Sequence, residues 1–322
     1  MATLGIDISK ADFHAVLLQG DHVAKKSFPN SHRGFAQLDA WLRNRSAAEV
    51  FACMEATGAY WTELATHLFN AGHQVSVVNP RRIKAYAQSE LSRGKTDAAD
   101  AAVIARFAAS QTPRLWNPPP PEILELQGLA RHLEFLKDSR AQQVTRAQTP
   151  GLLPLAVESS EKLIAEFDRQ IDEFERKIRD HIDRHPGLKN KEDLLISIPG
   201  IAETTAAVIL SEMPEITEFT NGQAVGAYAG LSPRIFQSGS SVRGKPRLCK
   251  TGNARLRKAL FFPAISALQH NPSLKAFAHR LQARGKAKMV IIGALMRKLL
   301  VLAYGVLKSG QPYNPNFTPR KA

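Results

Sequence analysis

The sequence predicts an α/β domain at the N-terminus followed by a mostly helical remainder, an α/β plus α chain. Three observations carry this reading. The first 80 residues alternate short apolar, β-branched runs with turn residues and two helical patterns. A polyproline run, "WNPPPPE" at 116–122, then interrupts the chain as a stiff spacer. Beyond it, apolar residues recur mainly at helical spacing.

Taken in order, "TLGIDIS", "FHAVLLQ" and "HVAKKSF" read as a three-stranded meander separated by polar turns. "GFAQLDAWL" has helical spacing, and "EVFACME" is a fourth strand ending at Glu55. "YWTELATHLFNAG" is a helix closed by Gly72, and "HQVSVVNP" is a fifth strand stopped by Pro80. Helical segments run on to about Ser110. Three strands, helix, strand, helix, strand, helices is the order of a ribonuclease-H-like domain, here assigned to 1–115.

The segment 116–186 reads as a helical coiled-coil or oligomerisation region. A long amphipathic helix, "EILELQGLARHLEFLKDSRAQQVTRAQ", is broken by "PGLLP" at 150–154. The next helix carries Leu163, Phe167, Ile171, Phe174, Ile178 and Ile182, close to a heptad seam. An antiparallel hairpin or coiled coil used for self-association is expected. His181 and His185, four apart with no third ligand in view, read as exposed helix-end histidines rather than a metal pair.

A mostly helical, basic C-terminal domain is assigned to 187–322. "LLISIPGIAETTAAVIL" reads as helix, Pro-Gly turn, helix, similar to a helix–hairpin–helix element, in which backbone N–H groups receive a nucleic-acid phosphate. Ala202 stands where that element often has Gly. "MVIIGALMRKLLVLAYGVL" at 289–307 is apolar, but Arg297 and Lys298 at its centre favour a buried helix over a membrane span.

The 322 residues carry a net charge of +14, distributed unevenly. From Leu231 onward there are 18 Lys and Arg and no acid; the last acid is Glu218. The first 230 residues carry 25 basic and 29 acidic residues. A surface this one-sided calls for a polyanion, and nucleic acid is the natural partner. Cys53 and Cys249 build no disulfide framework, and the start of the chain lacks a basic head and apolar run, so a cytoplasmic protein is expected.

The chemistry concentrates at two places. Asp7 lies on the first strand and Glu55 closes the fourth, and these strands are neighbours in a ribonuclease-H-like sheet. "RGKTDAADAA" adds Asp97 and Asp100, one turn apart on a following helix. Four carboxylates at one point need cations, and an all-oxygen set suits Mg²⁺ or Mn²⁺ acting in phosphoryl transfer. A sugar-kinase or actin-like ATPase shares the "GIDISK" strand, but its further phosphate loop and Gly-rich adenosine motif are missing from the sequence. The second place is "SPRIFQSGSSVRGKPRLCKTGNARLRKAL" at 232–260, where Ser238, Ser240 and Ser241 sit among Arg243, Lys245, Arg247, Lys250, Arg255 and Arg257. By composition this is a loop gripping nucleic-acid phosphates; a serine beside guanidinium groups is also equipped to attack one.

"GIDISK", "MEATGAY", "VVNP", "RGKTDAADA", "IPGI", "YAGLSP", "QSGSSVRG", "KTGNARLR" and "AYGVLKSG", in this order across nearly the whole chain, resemble the DEDD transposases of bacterial insertion sequences. These are Piv-like recombinases with a RuvC-like N-terminal domain, some directed by a bridge RNA. The resemblance implies that Asp7, Glu55, Asp97 and Asp100 bind Mg²⁺, and that Ser238 forms a transient phosphoserine with DNA. It further implies donor and target DNA as substrates, a guide RNA of the bridge type, and a homo-oligomer, dimer or tetramer, whose acids and serine meet from different subunits. Arg243, Arg247 and Lys250 are assigned to charge on the phosphate from local chemistry. A RuvC-like structure-specific nuclease and a non-catalytic nucleic-acid-binding protein are the alternatives.

Overall fold

The computed structural model describes residues 1–90, 97–213, 216–234, 237–238, 242–243 and 247–316; for Ala98, Gln237, Ser238, Val242 and Arg243 it describes the backbone alone. Ser240, Ser241 and Lys245 therefore lie outside the described residues. The chain divides into two compact units, Met1–Pro118 and Pro119–Ala322.

In the first unit, strands β1 (Ala2–Ile8), β2 (Asp12–Gln19), β3 (His22–Pro29), β4 (Val50–Glu55) and β5 (Gln74–Val78) form one mixed sheet in the order β3-β2-β1-β4-β5. The meander β1–β2–β3 is antiparallel, whereas β1 pairs with β4, and β4 with β5, in parallel. Helices α1 (His32–Arg43), α2 (Trp61–Asn70), α3 (Pro80–Ser89) and α4 (Asp97–Gln111) surround it. Ser31 caps α1 by accepting from the Gly34 N–H, and Asn79 caps α3, with Pro80 at its first turn.

Alternation along the strands assigns the two faces. Leu4, Ile6 and Ile8 of β1 and Ala52 and Met54 of β4 join Phe35, Leu38 and Leu42 of α1 and Leu64 and Leu68 of α2 in one core. Phe51 and Cys53 of β4 face the other way, onto Val103, Ile104 and Phe107 of α4. The spacer after α4 docks on this unit: the Trp116 N–H donates to the Val75 carbonyl at 2.7 Å, and its indole meets Trp61 edge-on.

The second unit is helical. Helices α5 (Pro121–Ala147) and α6 (Pro154–Asp183) form an antiparallel hairpin. Its pairings run Glu122 with His181, Lys137 with Glu175 at 2.7 Å, and Arg140 with Asp168. The apolar stripe of α6 turns onto α5: Phe167, Ile171, Phe174, Ile178 and Ile182 share a core with Ile123, Leu126, Leu133 and Leu136, while Leu163 stays exposed. The histidines at the end of α6 are not the exposed pair that the sequence suggests. His181 is fully buried, because the start of α5 packs over it and its Nε2–H donates to the Glu122 carbonyl at 2.8 Å. His185 is half-buried and donates from Nδ1 to the His181 carbonyl.

Helices α7 (Pro186–Ile196) and α8 (Glu203–Glu212) flank the Pro-Gly turn, whose Gly200 backbone packs against Ala267. Then come α9 (Gly222–Tyr228), among the described residues four two-residue strands, and α10 (Ala254–Ala259), α11 (Phe261–His270), α12 (Pro272–Ala283) and α13 (Lys288–Ser309). The strands are β6 (Pro233–Arg234), β7 (Gln237–Ser238), β8 (Val242–Arg243) and β9 (Arg247–Leu248), with β6 paired to β9 and β7 to β8. Helix α13 is long and apolar enough to cross a membrane, yet 61% of its most apolar window is buried within the unit. Leu295, Leu299, Leu300 and Ala303 are central to the same core that takes in α5 and α6, and each fully buried Leu there contributes about 2 kcal/mol.

Candidate active site

The four acids named from the sequence all belong to the first unit, and the fold brings them toward the C-terminal ends of the central strands β1 and β4. Asp7 lies two positions beyond Gly5 on β1, so both point to the α4 face. Glu55 lies two beyond Cys53 on β4 and shares that face. Ile6 pairs with Met54 in parallel register, which sets Asp7 and Glu55 side by side at the ends of adjacent strands. Helix α4 begins at Asp97, so Asp97 and Asp100 occupy its first turn. There the exposed N–H groups and the helix dipole favour carboxylates, so two aspartates can precede an alanine run without breaking the helix.

The alanines have their own reason. A Cβ on Gly5 would stand 2.3 Å from the Ala101 carbonyl oxygen and 2.6 Å from Ala105 Cβ. The backbone of α4 therefore rests directly on β1, and Ala101, Ala102 and Ala105 pack with Val16 of β2. Small residues on both sides bring the first turn of α4 down to Asp7. Gly5 and these alanines set the site's geometry, and the apolar spacing of the sequence does not single them out.

The electrostatics agree with the geometry. The Asp7 carboxyl is pushed up to about 6, first by burial and then by Asp100, Glu55 and Asp97. His14, opposite Asp7 on β2, pulls weakly the other way. The Thr57 hydroxyl donates to Glu55 Oε1 at 2.6 Å. Cys53 lies beneath Glu55 on the same face, but burial raises its thiol to about 12, so it offers no nucleophile. The donors are carboxylate oxygens throughout, a set that fits Mg²⁺ or Mn²⁺. Among the described residues, no three or more His, Cys, Asp or Glu side chains stand close enough to hold an ion in this conformation.

The serine and the cations belong to the second unit. The Ser238 backbone lies in β7, paired with Val242, and Arg243 lies opposite Gln237. Arg247 on β9 and Lys250 are exposed, and Lys250 adopts the left-handed region at φ 55°. The remaining two cations have protein partners. Arg255 donates to Glu134 of α5 at 3.0 Å, and the Arg257 guanidinium donates to the Ala229 carbonyl at 2.9 Å. Lys258, unremarked in the sequence, binds Asp138 of α5 at 2.6 Å.

Known proteins resemble the chain on both sides of the spacer. A family model for DEDD transposases of the IS110 type, described as "Transposase", matches residues 4–152. A second, described as "Transposase IS116/IS110/IS902 family", matches residues 192–279. Pilin gene-inverting proteins of Moraxella lacunata and Moraxella bovis are 34% and 33% identical to it, each over 97% of both chains. A transposase for insertion sequence element IS1328 from Yersinia enterocolitica is 22% identical over 97% of this chain and 98% of its own.

Proposed function

Because the chain belongs to the IS110 family of transposases, we propose that it is a DNA recombinase that exchanges strands through a transient phosphoserine at Ser238. The observation that supports this reading is that Glu55, Asp97 and Asp100 all act electrostatically on Asp7 near the ends of the central strands β1 and β4. The strand order β3-β2-β1-β4-β5, with an antiparallel meander on a parallel pair, supports a ribonuclease-H-like, RuvC-like domain. The relatives named for gene inversion favour strand exchange over net hydrolysis, since an inverted segment must be rejoined.

Asp7, Glu55, Asp97 and Asp100 would hold the divalent ion. Bound there, Mg²⁺ or Mn²⁺ supplies Lewis-acid polarisation of the reacting phosphate. The chain's own groups do the remaining work. Ser238 Oγ forms a bond to phosphorus while the bond to a DNA oxygen breaks, and the serine proton ends on that departing oxygen. The hydroxyl of the incoming strand then attacks the phosphoserine, re-forming a phosphodiester and returning the proton to serine. No water is consumed. Arg243, Arg247 and Lys250 supply positive charge around the phosphate. The family resemblance extends the reading to a bridge-type guide RNA and to an oligomer in which acids and serine come from different subunits. The working division is a catalytic domain at 1–115, an oligomerisation region at 116–186 and a serine-bearing domain at 187–322.

A suicide DNA substrate followed by denaturing electrophoresis and mass spectrometry tests the mechanism. A covalent adduct on Ser238, lost in Ser238→Ala with DNA binding retained, is the expected result. An adduct on Ser240 or Ser241 moves the nucleophile within the same mechanism. Undiminished cleavage by the triple alanine variant, with no adduct in the unaltered protein, leaves a metal-dependent nuclease instead.

A further inference from the structure

Glu212 is a carboxylate almost out of water, its side chain 6% exposed at the end of α8. Burying a charge is costly unless its oxygens are fully bonded. Both are: Oε1 accepts from Arg131 Nε at 2.8 Å, and Oε2 accepts from Asn253 Nδ2 at 2.7 Å. The Glu212 main-chain carbonyl accepts the Tyr228 hydroxyl at 3.0 Å. Burial pushes the Glu212 carboxyl up, but the bonds from Arg131 and Asn253 outweigh it and hold it below the usual range, so it is ionised at neutral pH.

These bonds converge on the root of the segment that carries Ser238. The two stems of 233–248 leave from residues 228–232 and 249–253, which are clasped together. Cys249 N–H donates to the Ser232 carbonyl at 2.9 Å, Lys250 N–H to Gly230 at 3.1 Å, and Asn253 N–H to Tyr228 at 2.8 Å. The clasp tolerates no side chain at its glycines. A Cβ on Gly252, at φ 155°, would stand 2.2 Å from the Tyr228 carbonyl oxygen, and one on Gly230, at φ 68°, would stand 2.6 Å from the Arg257 guanidinium. Above the clasp, Pro233 pairs with Leu248 and Arg234 with Arg247, and Ser238 follows on β7.

Asn253 is the joint. Its Nδ2 binds Glu212, while its Oδ1 accepts the Leu256 N–H and caps α10. One amide thus ties α8, the clasp and the basic helix together. We propose that Glu212, through Asn253 and Tyr228, is a positioning residue that fixes where the serine-bearing segment leaves the second unit. This rests on the serine reading above. Buried as it is, Glu212 acts on the orientation of the nucleophile rather than by contact with DNA, and a misplacement of about 1 Å there costs on the order of a hundredfold in rate.

The test uses the full chain and a suicide DNA at saturating concentration, read as single-turnover adduct formation alongside DNA affinity and near-UV circular dichroism. Glu212→Gln is expected to slow the adduct step at least tenfold, with affinity within about twofold and the fold intact, a split that simple loss of stability does not produce. Asn253→Asp sets two carboxylates face to face and should slow it similarly. Joining Asn253→Asp to Glu212→Gln restores an acid–amide pair in reverse order and should recover most of the rate. Tyr228→Phe removes one hydroxyl and should slow the step severalfold even if the charge variants fail to fold. Folded variants that form adduct at the unaltered rate overturn the proposal alone. Absence of adduct in the unaltered protein overturns the serine chemistry and this proposal with it.

Discussion

Gly5 lies against the backbone of Ala105 so closely that a Cβ on it would stand 2.3 Å from the Ala105 nitrogen. The contact lowers the start of α4 onto the end of β1, which is how Asp97 and Asp100 come within electrostatic reach of Asp7.

Gly5→Ala should therefore act at a distance from the acids. The backbone it meets cannot yield cheaply, so α4 must lift, at about 1–3 kcal/mol of stability. The expected readout is a lowered melting temperature together with weakened Mn²⁺ binding by calorimetry, although no carboxylate has changed. Ala101→Gly, which leaves that approach open, should leave Mn²⁺ binding intact.

Asp7 predicts a pH dependence of stability. Its folded pKa of about 6 lies above the ordinary 3.8, so the folded chain binds more protons between those values. Stability from this group is present below about pH 4, falls as pH rises to about 6, and is flat beyond, a loss of about 1–2 kcal/mol after discounting for solvent screening. In metal-free buffer, Asp7→Asn should raise the melting temperature by a few degrees at pH 7.5 and leave it unchanged at pH 4. Added Mg²⁺ should narrow the gap at pH 7.5 by stabilising only the unaltered protein. An equal effect of Asp7→Asn at both pH values would count against the electrostatic origin.

Asp100→Asn keeps the shape of the first turn of α4 and removes one of the three carboxylates acting on Asp7. It should abolish strand exchange and the calorimetric Mg²⁺ signal together, while nucleic-acid affinity stays within about threefold, because phosphate contacts dominate that affinity. Retained recombination in this variant would remove the metal-site reading.

Arg247 and Arg257 should behave differently despite their proximity in sequence. Arg247 is exposed on β9, so Arg247→Ala should weaken nucleic-acid binding and reduce the salt slope by about one. Arg257 holds the Ala229 carbonyl, so Arg257→Ala should cost about 1–3 kcal/mol of stability and leave the slope nearly unchanged. Filter binding across a salt series and thermal melts distinguish the two.

Much of the sheet, and the Asp pair at the start of a helix, were legible in the sequence, because strand alternation, turn residues and an Asp pair before an Ala run are local signals. The parallel pairing of β1 with β4 sets Asp7 beside Glu55. What escaped was set by partners far along the chain. His181 reads as a helix-end residue until the start of α5 is laid over it. Arg255 reads as a free cation until Glu134, 121 residues away, is found beside it. Glu212 and Asn253 carry no motif of their own, and strands of two residues, such as β6 and β9, are too short for any periodicity to mark.

The ion pairs between α5 and α10 also decide where this protein can be cut and rejoined with a relative. Arg255 and Lys258 find their counter-anions at Glu134 and Asp138, and α5 and α6 share one core with α13. A chimaera joined near residue 187 would import cations without their anions and one half of a core without the other. Such hybrids should express poorly, whereas a junction at Pro118–Pro119 transfers the cations, their anions and the core as a single heritable block.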